Sequence, residues 1–236
     1  MPARRYLTTL TEFDPCMPRS SFLPPPHQPA RRACLGLAAA WALGQAGWAQ
    51  AGAQLEEPLA DAVRSALSAA VSDLAPPEPV FASTDARIAY LRWLTTMSDR
   101  LQRRKPDWEV RRDFLQTVWY EAKRAGLEVS LVLGLIQVES GFRKFAVSVA
   151  GARGYMQIMP FWTRVIGDGD AGKLFHMQTN LRFGCVILRH YLERERGDLF
   201  MALGRYNGSR GKDKYPSLVL GAQKQWQFDP QALRQA

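Results

Sequence analysis

The segment LVLGLIQVESGF, residues 131–142, constrains the fold most. Leu135, Ile136, Val138 and Phe142 leave it no broad polar face, so a helix here must lie inside a core. The exception is Glu139. On a helix its i−4 and i−3 neighbours are Leu135 and Ile136, and its i+3 neighbour is Phe142. A carboxylate in those surroundings loses hydration, and its pKa rises. A glutamate that keeps its proton near neutral pH can serve as a general acid. The plainer reading is a Glu whose carboxylate reaches the surface or pairs with Arg or Lys, and this segment alone leaves both open.

The remaining pattern is helical. Residues 59–74 carry Leu59, Val63, Leu67, Val71 and Leu74 near helical spacing, before the proline-broken stretch APPEPV at 75–80. Ser83-Thr84-Asp85 offers caps for a helix with Ile88, Leu91, Leu94 and Leu101 inward, and Pro106 ends it. Asp107 caps a second helix with Val110, Phe114, Val118 and Trp119 inward, and Gly126 sits at a C-cap position. Ser130 is the expected cap of the Glu139 helix. Residues 141–160 are punctuated by Gly141, Gly151, Gly154 and Pro160 and read as a loop, with a brief helix over 160–166. GDGDAG at 167–172 reads as a turn, Asn180–Glu195 as a helix, and another helix begins at Asp198. No segment alternates as a strand does, and no repeat, GxGxxG or phosphate loop occurs. The fold class expected is mainly α.

The N-terminus reads as an export signal over residues 1–50. Arg31-Arg32 precede a short apolar run and small residues, so cleavage is expected after Ala49 or Ala51. The apolar run of 33–43 is about half of the ~20 residues a membrane span needs; an uncleaved anchor is the alternative. The sixteen residues before Met17 are superfluous to the signal, which points to translation starting at Met17. Losing residues 1–49 removes five arginines and two carboxylates and lowers the formal charge from +9 to +6. A basic exported protein suits a polyanionic partner, and charge alone does not choose among nucleic acid, anionic lipid and acidic cell wall. The basic run QRRK at 102–105 falls on a solvent face, where charge is the default. With an export signal as well, nucleic acid is not expected as a partner. Cys185 alone survives signal removal and reads as a small buried thiol. No His, Cys, Asp and Glu cluster has ligand spacing, so neither a metal nor another cofactor is expected.

Four motifs occur in order: Glu139-Ser140, then Ser148, then GARGYMQIMP at 151–160, then RYNGS at 205–209. Between the last two, Asn180 and Gly184 form an Asn-x-x-x-Gly pair. Over about residues 115–230 the chain resembles the lytic transglycosylases of the soluble-lytic-transglycosylase (SLT), lysozyme-like superfamily. The resemblance implies a lysozyme-like catalytic domain, placed at 83–230, behind a helical extension and proline-rich linker at 51–82. It implies that Glu139 is the single catalytic acid/base. It further implies that Ser148 bonds the N-acetyl group of the reacting sugar and that Gln157 lines a glycan groove with Met156 and Met159. Tyr206 and Asn207 would orient the site from the opposite wall, and Ser140 would position the helix end. Tyr155 stands where the family usually has Leu or Met, and Gly-Ser follows the Tyr-Asn pair where Ala-Gly is common.

In that family the Glu protonates the glycosidic oxygen and then takes the proton of the sugar's own C6 hydroxyl, closing a 1,6-anhydro ring without water. The implied partner is a peptidoglycan glycan strand, met in the periplasm by a monomer, with envelope or secretion machinery as a further associate. Two alternatives stay open. A muramidase would hydrolyse the same bond, with Asp168 or Asp170 activating water. A non-catalytic cell-wall binder would keep the fold alone.

Overall fold

Helices form where the sequence supplies a cap and an apolar stripe. The computed structural model describes residues 54–72 and 79–229. Among them the α-helices are α1 (Asp61–Ser72), α2 (Thr84–Leu101), α3 (Trp108–Arg124), α4 (Val129–Ser140), α5 (Phe161–Ile166), α6 (Met177–Arg194), α7 (Leu199–Asn207) and α8 (Lys214–Lys224). A 3-10 turn, Ala171–Phe175, precedes α6. No strand forms among the described residues; two isolated bridges join Val147 to Arg153 and Arg153 to Ile158. The fold is mainly α. No described helix is long and apolar enough to cross a membrane. The expected export signal and most of the proline-rich linker lie outside the described residues.

Ser83 and Asp107 cap as expected, and Asp198 caps α7 in the same way. Ser83 Oγ accepts from the Ala86 N–H, Asp107 from Val110 and Asp198 from Met201. Gly126, at φ 64°, ends α3, and the Leu127 N–H reaches back to the Ala122 carbonyl. Ser130 does not cap. Helix α4 starts two residues earlier than that cap would place it, after Glu128, and Ser130 Oγ instead accepts from Gln223 Nε2 of α8 at 3.3 Å.

Helix α4 is the core. Leu131, Val132, Leu133, Leu135 and Ile136 are buried, and α3 and α8 pack against it. Gly134 sets the approach of α8: a Cβ there would stand 2.6 Å from the Gln223 backbone nitrogen. The inner face of α2 differs from the expected one. Leu94 and Leu101 are buried, but Ile88 and Leu91 are 42% and 48% exposed, and Val110 of α3 is also exposed. Aromatic packing turns the helix: the Tyr90 ring sits 5.0 Å from Phe81 and 5.1 Å from Trp119, so Tyr90, Trp93 and Met97 take the inner face. A buried pair, Arg182 Nη2 to Glu121 Oε1 at 2.9 Å, joins α6 to α3. The extension is part of the packing: α1 lies on α5 and α6, and the Arg124 guanidinium donates to the Ala70 carbonyl. Cys185 is fully buried on α6.

Candidate active site

Helix α4 delivers Glu139 in its last turn. Gly141, at φ 57°, ends the helix in the left-handed region, and Phe142 follows it there at φ 67°. For a non-glycine residue that conformation costs about 1–3 kcal/mol and persists only when the surroundings impose it. Here Phe114 and Trp226 impose it, with ring centroids 5.9 and 5.1 Å from Phe142. The chain thereby folds back over the helix end as the 143–160 loop.

That loop is fixed from beneath. The Ser140 hydroxyl donates to the Tyr155 carbonyl at 2.7 Å. Asn180 of α6 makes three bonds to the segment around it: Oδ1 accepts from the Met156 N–H, and Nδ2 donates to the Arg153 and Leu174 carbonyls, all at 2.8 Å. One turn on, Gly184 leaves room for Met156; a Cβ there would stand 2.2 Å from its sulfur. The Asn-x-x-x-Gly pair is therefore a socket for the loop. Gly154, at φ 75°, is required for the same contact, since a Cβ would meet Asn180 Nδ2 at 2.3 Å.

Within the loop the expected residues divide by exposure. Gln157 is 2% exposed, has φ 49°, and donates from Nε2 to the Gly154 carbonyl at 2.8 Å and the Ala146 carbonyl at 3.1 Å. Met156 and Tyr206 are fully buried, and the Tyr206 hydroxyl donates to the Met156 carbonyl at 2.8 Å. Tyr155 is buried too, and its hydroxyl accepts from Lys105 Nζ at 2.7 Å. Ser148 and Met159 are half-buried. Ser148 Oγ accepts from the Ala152 N–H at 3.1 Å in a tight turn. Asn207 is the last residue of α7 and is buried.

Glu139 is 5% exposed. The Tyr215 hydroxyl, from the first turn of α8, donates to its Oε1. Oε2 is buried and has no hydrogen-bond partner among the described residues. Burial pushes the carboxyl up to about 8, and the Tyr215 bond only partly opposes this. Burial first, and the charge of an ionised Glu139 second, hold the Tyr206 and Tyr215 hydroxyls well above their ordinary range. The arrangement can present one neutral carboxylic acid, with one oxygen held and the other free to give a proton.

Two neighbours were not anticipated from sequence. Pro216 interrupts the start of α8 and obscures its helical pattern; yet proline is tolerated in a first turn, and Tyr215, Val219 and Ala222 keep helical spacing. Gln54 lies far away in sequence, and no local signal marks it. It is buried, and its Oε1 accepts from the Met159 N–H at 3.3 Å. Glu57 anchors the same segment by pairing with Arg205 at 2.6 Å.

Asp168 and Asp170 are occupied elsewhere. Asp168 pairs with Lys173 and accepts from the Asp170 N–H, and its hydrogen bond with Lys173 leads the effects that lower its pKa. Asp170 caps the 3-10 turn by accepting from the Gly172 N–H. This is ordinary turn chemistry.

Residues 116–228 match the family described as Transglycosylase SLT domain. The matched stretch contains Glu139, the whole 143–160 loop, Asn180, Tyr206 and Tyr215, whereas Gln54 and Lys105 lie before it. A membrane-bound lytic murein transglycosylase C of Actinobacillus pleuropneumoniae serotype 5b is 35% identical over 133 residues, which cover 47% of this chain and 36% of that protein. The protein of the same name from Haemophilus ducreyi is 51% identical over 53 residues, 22% of this chain and 14% of its own. The chain thus spans about a third of the length of the first of these relatives, and a smaller share of the second. Among solved structures, an inactive mutant of lytic transglycosylase Slt from Pseudomonas aeruginosa aligns over 63% of this chain and 30% of its own, with 24% identity and a TM-score of 0.43.

Proposed function

We propose that the protein is a peptidoglycan lytic transglycosylase that cleaves the β-1,4 bond after N-acetylmuramic acid and closes a 1,6-anhydro ring on it. The observation that carries this reading is the state of Glu139 within the stretch that matches the SLT family: buried, raised to about 8, one oxygen held by Tyr215 and the other unpartnered. Protonated Glu139 gives its proton to the leaving glycosidic oxygen as that bond breaks. The N-acetyl oxygen of the same sugar supports the anomeric carbon. Glu139, now ionised, takes the C6 hydroxyl proton while that oxygen bonds to the anomeric carbon. The carboxyl ends as it began, and no water is consumed. The ring closure is intramolecular, so orientation supplies much of the rate.

The remaining residues divide between contact with the sugar and support of the loop. Ser148 and Asn207 bond the N-acetyl group, and Met159 lines the groove. Gln157, Met156, Tyr206, Tyr155 and Ser140 hold the loop at its height above Glu139. A hydrolytic mechanism would need a second carboxylate, and Asp168 and Asp170 are engaged in their own turn. The names of the relatives and the expected export signal support action in the cell envelope, on the periplasmic side.

The test is Glu139→Gln. The variant keeps Tyr215's acceptor and loses the transferable proton. It should bind purified peptidoglycan as the parent does and release muropeptides at least ~1,000-fold more slowly, the order expected when an acid and base role are lost together. Release within tenfold of the parent rate would remove Glu139 from the mechanism.

A further inference from the structure

A cavity of about 470 Å³ opens beside the Glu139 helix, between the turn after α2 and residues 142–147. Its charged lining is cationic: Arg104, Arg143 and Lys144. Two of these heads rest on aromatic rings. The Arg104 guanidinium stands 5.5 Å from the Phe142 centroid, and the Lys144 ammonium 5.2 Å from that of Phe145. Neither Arg104 nor Lys144 is paired with a carboxylate among the described residues. Just behind lies Lys105, buried, its ammonium bonded to the Tyr155 hydroxyl. Burial first, and the Lys144 charge second, pull Lys105 down to about 8. The charges of Arg104, Lys144 and Lys105 repel one another, and an anion entering the cavity would relieve them.

The position says which anion. Phe142 follows Glu139 by three residues, the Ala146 carbonyl holds Gln157, and Ser148 comes next but one. The cavity therefore flanks the place where the proposed reaction puts muramic acid. The sugars of the glycan are neutral; its carboxylates sit on the peptide that muramic acid carries. We propose that the Arg104–Lys144 cavity is a subsite for the carboxylates of that peptide, and that it makes the enzyme prefer peptide-bearing strands. The proposal rests on the activity proposed above. Phe145, 70% exposed, forms an apolar shelf on which the peptide's methyl groups can lie.

Titration calorimetry on the full chain tests this, with a soluble disaccharide-tetrapeptide of peptidoglycan and the same compound with its carboxyls amidated. The expected result is at least tenfold tighter binding of the acidic form, lost in Arg104→Ala/Lys144→Ala, together with a flatter salt dependence. Both substituted side chains are exposed, so the variant should fold, and it should keep the parent kcat on peptide-free strands. Equal affinity of the parent for the two ligands would overturn the subsite, as would a variant that weakens both equally. Inorganic phosphate competing as strongly as the peptide would overturn the assignment to peptide. Binding is read without turnover, so a chain that discriminates the ligands but cleaves no glycan would overturn the activity and leave the subsite standing.

Discussion

Glu139 couples stability to chemistry. Its folded pKa of about 8 lies above the ordinary 4.5, so the folded protein holds a proton that the unfolded chain releases. The stability this carboxyl contributes is full below about pH 4.5 and falls as pH rises toward 8. Glu139→Gln, which cannot ionise, should therefore melt higher than the parent at pH 8 and equally at pH 4. The gain is roughly 2–4 °C for each kcal/mol recovered in a domain of this size. Thermal melts at the two pH values check it; a variant that melts lower at pH 8 would contradict it. On the proposed function, activity follows the same proton. kcat/KM should hold below pH 8 and drop about tenfold per unit above it. Tyr215 pulls the Glu139 pKa down, so Tyr215→Phe should move that alkaline limb to higher pH. It should also lower kcat by roughly 10–100-fold, because the carboxyl loses its orientation. A Tyr215→Phe profile that overlays the parent's would mean the hydrogen bond does not act on Glu139.

At the scale of elements, the site depends on how closely α8 approaches α4. Gly134→Ala would push a methyl into the backbone at Gln223. The helices must part, which costs about 1–3 kcal/mol, and Tyr215 is drawn off Glu139. The expected outcome is a lower Tm and a kcat loss resembling that of Tyr215→Phe; a lower Tm with kcat unchanged would separate packing from the site. Much of this level could be read in advance. Asp107 and Ser83 cap where their side chains can reach the next free N–H, a local rule. Glu139's apolar setting is likewise local, since its neighbours lie within one turn. What escaped depends on partners distant in sequence. Ile88 and Leu91 fit a helical stripe, but Phe81 and Trp119 decide which stripe faces in. Tyr215 meets Glu139 across 76 residues, and Gln54 meets Met159 across 105. Gln157, Met156 and Tyr206 carry motif positions, yet their inward direction is set by Asn180, Gly184 and the loop's own carbonyls.

The whole molecule is basic, with a formal charge of +9 over the full sequence. Attraction between this surface and acidic peptidoglycan is screened by salt, with a Debye length of about 8 Å at physiological ionic strength and ~3 Å at 1 M. Co-sedimentation with purified sacculi should therefore weaken at least several-fold between 0.05 and 0.5 M NaCl; salt-independent binding would assign retention to neutral sugar contacts alone. Residues 54–59 and α1 extend the molecule beyond the matched stretch and lie on its loop, α5 and α6. On the proposed function, a single carboxyl cleaves glycan without water. Mass spectrometry of muropeptides released from purified peptidoglycan tests it most directly. Products ending in 1,6-anhydromuramic acid, one water lighter than the reducing form, are the predicted result. Reducing-end products would contradict it and return attention to Asp168 and Asp170.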